Sequence, residues 1–416
     1  MKYIYLFNEK SKAAVYGIGT YIKQLINLTF DKNFSFNIVN INSEKKEFTV
    51  EEEGGVKYYY IPQILKGNEI QRYYRNIFFI LHPHIEMNKI NDKYEFVFHF
   101  NFYQEMYLFD VLKNYYPKSK IIFTIHYFNW CFLIKGNLSY FNQIIKKKPE
   151  NITNEKERDI AQDYNAILKI FNKTDKLICL SEYTKRVLVN SYQIPKEKIV
   201  KIYNGLKDEA VFLSLKNKNN LKAKYHIDKD EKIILFVGRL DDVKGADIVI
   251  NSLKKIILFY HYFKCRLIII GDGNYSKYLT ECQDIWGKVT FTGHVNKETL
   301  YEFYQIADVG VLPSTHEQCS YVAIEMLSHG IPLIASTTTG LNEMISPELR
   351  YLKLKTKEED SDVSISADEC ANKIILVLNK TKEERQIMAN LSRKQFLKKY
   401  NLYDMQKKVI SLYKYL

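Results

Sequence analysis

The stretch 307–336, ADVGVLPSTHEQCSYVAIEMLSHGIPLIAS, restricts the fold of this chain more than any other part of it. Its apolar run Val309–Leu312 stops at Pro313-Ser314, as a short buried strand does on entering a loop. Val322, Ala323, Met326 and Leu327 then recur at helical spacing over 321–328, and Gly330 and Pro332 end that helix. A second apolar run, Leu333–Ala335, follows at once. Strand, loop, helix and strand in this order make a β-loop-α-β unit of a parallel sheet, and such sheets bind ligands at the carboxyl ends of their strands. Glu317 in the loop and Glu325 on the helix can both face that crevice. An ionised carboxylate accepts paired hydroxyls of the kind a ribose or hexose presents, with charge-assisted bonds worth about 1.5–3 kcal/mol each.

The same alternation runs along the rest of the chain. Tyr3–Phe7, Phe36–Val39, Lys57–Ile61, Tyr94–Phe100, Lys120–Ile125 and Lys176–Leu180 read as strands, as do Lys232–Val237, Arg266–Ile270 and Val289–Phe291. Helical patterns fall on 160–172, on Tyr21, Leu25, Ile26 and Leu28, and on 401–416 through Leu402, Met405, Val409, Leu412 and Tyr413. The fold class expected is α/β, with two Rossmann-like doubly wound domains. The first covers 1–205 and is completed by 400–416; the second covers 206–399, with polar Lys216–Asn220 as a linker loop.

Several motifs carry local chemistry. Gly17-Ile18-Gly19-Thr20 opens a helix, which turns backbone N–H groups toward an anion; a plain strand-to-helix turn is the alternative, and the dinucleotide fingerprint lacks its third glycine. After the strand Lys232–Val237, Gly238 is followed by Arg239 and Lys244. The Arg fork and the Lys point charge suit a diphosphate. His99 and His126 end strands, and His99 reads either as a support behind the site residues or as a satisfied core histidine. Tyr127–Leu133 is densely aromatic and precedes Lys146-Lys147-Lys148; acceptor lining, lipid contact and core packing all remain open for it. Asp228-Lys229-Asp230 and Asp360-Ser361-Asp362 fit an Asp-x-Asp metal pattern but read as solvated loops, so no metal is expected.

Composition narrows the partners. The net charge of +13 fits an anionic donor or membrane surface, or simply a solvated basic exterior. No nucleic-acid module is found, and the charge is spread rather than striped. Six cysteines show no CxxC and no metal-like spacing, which reads as reduced thiols. Met1–Asn8 reads as a strand running into Glu9-Lys10 rather than as a secretion signal, and no apolar run reaches the roughly 18 residues of a membrane span. The expected location is cytoplasmic, with peripheral contact at the inner face of a membrane.

Glu317 and Glu325, with Pro313-Ser314 before them and Gly330-Ile331-Pro332 after, resemble the Glu-seven residues-Glu motif of retaining GT-B glycosyltransferases, in the GT4-like, group 1 family. The resemblance implies that Glu325 holds the donor ribose and Glu317 contacts the transferring sugar. Gln318-Cys319-Ser320 stands where the family usually has Gly-Phe-Gly, so Cys319 and Ser320 shape the donor loop differently. Gly238-Arg239 and Lys244-Gly245 match the family's diphosphate clamp, and Gly17 and Gly19 its glycine-rich loop. Gly293-His294-Val295 resembles the loop beside the nucleotide base, and Glu343 takes the family's last Glu position. Thr124-Ile125-His126 resembles Thr-x-His-Asp, with Tyr127 in place of the Asp, which favours a sugar contact by His126 over acid/base work.

A GT-B fold follows, its two domains facing a cleft and its C-terminal helix crossing back to the first domain. Also implied is metal-independent, cofactor-free transfer of a sugar, UDP- or GDP-linked, to a glycan, lipid-linked glycan, peptide or small-molecule acceptor. His126, Glu317, Arg239 and Lys244 would act in catalysis. A sugar-nucleotide epimerase and a non-catalytic nucleotide-sugar-binding scaffold are the alternatives.

Overall fold

Continuous apolar runs become buried parallel strands because helices cover both faces of such a sheet. Lys232–Val237 is the plainest case, with Ile233 to Val237 all buried. The computed structural model describes residues 1–9, 17–26, 33–63, 70–88, 95–152, 154–262 and 264–416. Lys10, Leu28 and Tyr94, and the loop before Gly17, lie outside them. Two units emerge: Met1–His126, Ala161–Gly205 and Leu402–Leu416 make the first, and Tyr127–Ile160 with Leu206–Asn401 the second.

The first unit holds strands β1 (Lys2–Glu9), β2 (Phe34–Ser43), β3 (Thr49–Glu53), β4 (Val56–Pro62), β5 (Glu95–Phe100), β6 (Lys120–Ile125), β7 (Lys176–Cys179) and β8 (Ile199–Lys201). They form one sheet in the order β3-β4-β2-β1-β5-β6-β7-β8. Every pairing is parallel except β3 with β4. The order runs outward both ways from β1, which makes the sheet doubly wound. Gly17 and Gly19 lie in the first turn of the helix Gly17–Ile26 rather than in a loop before it.

The second unit has six parallel strands, β9 (Lys232–Val237), β10 (Cys265–Ile270), β11 (Val289–Gly293), β12 (Val309–Leu312), β13 (Leu333–Ser336) and β14 (Lys353–Leu354), ordered β11-β10-β9-β12-β13-β14. The strand order reverses between β9 and β12, so the loops after these two strands flank the switch point where such sheets bind ligands. An antiparallel hairpin, β15 (Thr356–Glu359) and β16 (Asp362–Ile365), stands apart from that sheet, and the second Asp-x-Asp string forms its turn.

The structure bears on three sequence expectations. Lys216–Asn220 is not a linker loop but part of the helix Leu215–Lys224, whose first turn Ser214 caps by accepting from Asn217 N. The aromatic stretch contains the helix Asn129–Leu133; Phe128 and Trp130 are buried, Trp130 stacks on Phe141 at 4.2 Å, and Phe132 and Leu133 are exposed. The division into units departs from 1–205 and 206–399, because Tyr127–Ile160 groups with the second unit. Its anchor is Asn137, whose amide donates to the carbonyls of Asp360 at 2.9 Å and Asp362 at 3.1 Å.

Candidate active site

Each residue of the diphosphate motif is placed by its loop. Gly238 N donates to Ile270 O (2.9 Å), which continues the β9–β10 pairing past the end of β9. Asp241 then organises the turn: its Oδ1 accepts from Val243 N and Lys244 N, both 3.1 Å, and its Oδ2 pairs with Arg239 Nη2 at 2.8 Å. Val243 O in turn accepts from Thr315 N (2.8 Å), fastening this loop to the one after β12. Across that junction Lys244 Nζ contacts Glu317 Oε1. Arg239, Lys244 and Glu317 are thus brought together at the carboxyl ends of β9 and β12.

The Glu317 loop is locked from behind. Thr339 Oγ1 accepts from Glu317 N (2.9 Å) and donates to Glu317 O (2.6 Å), and Gly340 N donates to the same carbonyl (2.7 Å). A Cβ on Gly340 would lie 1.7 Å from Gln318 O, so only glycine fits there. The sequence reading gave Thr339 no role in this, and it also passed over His316. That ring is buried, meets Phe132 edge-on at 5.2 Å, and stays neutral: burial, then Lys244, lowers its pKa to about 3. Cys319 and Ser320 are buried, and Ser320 Oγ accepts from Ala323 N (3.4 Å), so it caps the helix Tyr321–Ser328.

Glu325 projects from that helix, half-buried. Burial raises its pKa to about 7 against the opposing hydrogen bond from Tyr304, whose hydroxyl donates to Glu325 Oε2 at 2.8 Å. Tyr304 is fully buried on the helix Lys297–Ile306. His329 packs on Tyr304 at 5.1 Å and on Tyr301 at 4.9 Å. The expected base-side residue, His294, is exposed after β11. Glu343 contributes its carbonyl, which accepts from Gln395 Nε2 and Tyr400 Oη, both 3.2 Å.

In the first unit, His126 ends β6. Asn101 Nδ2 donates to Phe7 O (2.9 Å), which turns its Oδ1 toward His126 Nε2 at 3.0 Å. That places the ring proton on Nε2 and leaves Nδ1 as the acceptor. Burial, with His99 next, lowers the His126 pKa to about 3, so the ring works as a neutral group. His99 is fully buried with both nitrogens engaged, Nδ1 by Tyr413 Oη (2.7 Å) and Nε2 by Thr124 Oγ1 (2.6 Å). Of the two readings its sequence context allows, the structure shows the core histidine. Gly17 is exposed, with open space around it.

Taken together, the second unit holds Arg239 and Lys244 with the carboxylates Asp241, Glu317 and Glu325 around one switch point of a parallel sheet, a set able to bind both anionic and hydroxyl groups. The family model "Glycosyl transferases group 1" matches residues 217–395, and "Glycosyltransferase Family 4" matches 16–210. The chain belongs to the group 1 glycosyltransferases, of GT-B fold. An uncharacterised glycosyltransferase of Methanocaldococcus jannaschii is 30% identical over 244 residues, 58% of this chain and 60% of that protein. The match therefore spans about three-fifths of that relative's length. Among solved structures, sucrose-phosphate synthase from Thermosynechococcus elongatus superposes with a TM-score of 0.74 at 17% identity, covering 100% of this chain and 98% of that one. Anabaena HepE, solved in complex with UDP-glucose, gives 0.69 at 12% identity over 100% of both chains.

No helix among the described residues is long and apolar enough to cross a membrane.

Proposed function

We propose that this group 1 glycosyltransferase moves a glycosyl unit from a nucleoside diphosphate sugar to an acceptor hydroxyl with retention at the anomeric carbon. The observation that carries the reading is the pairing of Lys244 with Glu317 beside Arg239. A diphosphate competes with Glu317 for Lys244, because it offers more negative charge to the same cation. Glu317 is then free to accept from hydroxyls of the transferring sugar, while Glu325, steadied by Tyr304, accepts from the ribose.

In this reading the bond from the anomeric carbon to the β-phosphate oxygen breaks and a bond to the acceptor oxygen forms on the same face. The acceptor proton passes to the departing phosphate oxygen. Arg239 and Lys244 stabilise the charge that develops there, work that a divalent ion does in other enzymes, so turnover should proceed in the presence of a chelator. His126, neutral, is assigned a hydrogen bond to a sugar hydroxyl rather than proton transfer.

The test is acceptor-free release of nucleotide from UDP-, GDP- and ADP-sugars, beginning with UDP-glucose, the ligand of the HepE complex. We expect slow release from one donor, unchanged by chelator and reduced about 100-fold or more in Lys244→Ala and Glu325→Ala. No release from any donor, with no thermal shift by free nucleotides, would sink the transferase reading and leave a scaffold.

A further inference from the structure

The second unit contains a groove that the donor site does not use. It measures about 440 Å³ and lies between the helix Leu138–Ile144 and the hairpin of β15 and β16. Asn137, Ser139, Tyr140 and Gln143 line one side, and Glu358 and Asp360 the other. Among the described residues the lining is polar and contains no lysine or arginine, in a chain whose net charge is +13. The volume falls within the roughly 300–1,000 Å³ of small-molecule sites.

The walls are held firmly. Asn137 is 1% exposed; its amide grips the hairpin at Asp360 O and Asp362 O, while its Oδ1 accepts from Tyr140 N at 2.8 Å and caps the helix. Lys135 pairs with Asp362 at 2.9 Å, while two other carboxylates of the hairpin, Glu358 and Asp360, line the groove. Glu358 Oε2 accepts from Ser139 N (3.4 Å). Tyr140 donates its hydroxyl to Glu157 (2.6 Å), which Lys147 neutralises at 2.7 Å, so the ring is pinned.

The groove also lies beside the Glu317 loop. Gly136, with φ of 75°, passes so close that a Cβ would lie 2.8 Å from Thr315 O and 3.5 Å from Thr339 Cγ2. Thr339 is the residue that fixes the Glu317 backbone. The segment entering the groove wall is therefore packed on both supports of the donor-sugar carboxylate.

We propose that this groove is a saccharide subsite on the acceptor side of the Glu317 loop, taking a non-anionic sugar unit; the assignment rests on the transferase reading above. Glu358 and Asp360 supply acceptors for paired hydroxyls, the Gln143 amide both donates and accepts, and Ser139 offers a hydroxyl. No cation in the lining answers a uronate, sialate or phosphate, and two carboxylates repel one.

The experiment prints the full-length protein against an array of neutral, amino-sugar and acidic glycans, and repeats it with Ser139→Trp and Glu358→Lys. Both substitutions are at exposed positions. Wild type should bind neutral or amino-sugar glycans and no acidic ones. Ser139→Trp, which plugs the groove, should weaken that binding at least tenfold, and Glu358→Lys should admit acidic glycans. Acceptor-free nucleotide release should stay within twofold of wild type in both variants. Binding that survives Ser139→Trp, a preference for acidic glycans, or no glycan binding beside intact nucleotide release each overturns the subsite. Glycan binding that Ser139→Trp abolishes, in a protein releasing no nucleotide from any donor, keeps the groove as a saccharide site and overturns its acceptor role together with the transferase reading.

Discussion

Glu325 is a carboxyl whose chemistry changes within the physiological range. Burial lifts its pKa to about 7, and Tyr304 works against that lift by donating to Oε2. If Glu325 holds the ribose as proposed, the hydroxyls donate to its ionised form, so nucleotide-sugar affinity should rise with pH through about 7 and fall below it. At pH 6 only about a tenth of the carboxyl is ionised, and affinity should drop to roughly a tenth of its plateau. UDP-glucose is the right probe, because its esterified phosphates hold constant charge over this interval. Titration calorimetry between pH 5.5 and 8.5 reads the effect directly. Glu325→Gln should bind weakly and show no pH dependence. Tyr304→Phe removes the hydrogen bond that lowers the pKa, and should move the midpoint up. A midpoint that stays put in Tyr304→Phe would show that the phenol does not set this carboxyl. The Glu pair was legible from its spacing, but Tyr304 was not: it lies 21 residues away on another helix, and only the packing of that helix brings its hydroxyl to Oε2.

At the scale of elements, the candidate site depends on one short turn. The 3₁₀ segment Thr339–Glu343 holds the Glu317 carbonyl with a side chain and a backbone N–H, and Gly340 makes room for Gln318 O. Gly340→Ala should push the two loops apart, costing about 2–3 kcal/mol of stability and displacing Glu317. Acceptor-free nucleotide release should fall at least 100-fold; wild-type release with unchanged melting would mean that the turn relaxes without consequence. Which elements could be read beforehand follows from their burial. Lys232–Val237, Val309–Leu312 and Tyr321–Ser328 came out with the bounds the sequence predicts, because apolar runs and helical spacing are strong signals in a fully covered sheet. The helix Leu215–Lys224 was missed since its buried residue is Lys222, a polar side chain whose ammonium donates to Glu231 O at 2.6 Å. The hairpin of β15 and β16 was missed for the same reason. Its strands carry Lys357, Glu358, Glu359 and Asp362, with Val363 as the buried residue.

For the whole molecule, the order of the sequence is not the order of its cores. The longer stretch of the second unit, Leu206–Asn401, begins and ends at neighbouring residues, where Leu206 N donates to Tyr400 O (2.9 Å), and the chain then returns to the first unit as the helix Leu402–Lys414. Tyr413 on that helix is fully buried among Phe34 and Phe36 and bonds His99, 314 residues away in sequence. His99 extends the chain of contacts to Thr124 and Tyr21. Tyr413→Ala should therefore destabilise the first unit by about 3–5 kcal/mol, the range for emptying an aromatic core position, although the residue is only three from the carboxyl end. The melting of the second unit should be unchanged. The first unit should also weaken in acid. Burial lowers the His99 pKa to about 3 from 6.5, so its neutral form contributes stability that is full above about pH 6.5 and declines as the unfolded chain takes up the proton below it. The slope for one such group is about 1.4 kcal/mol per pH unit, ending near pH 3. Melting curves of wild type and His99→Gln from pH 7 to pH 4 test this, since the substitution removes the titrating group and should flatten the loss. An identical acid slope in both would assign the sensitivity elsewhere.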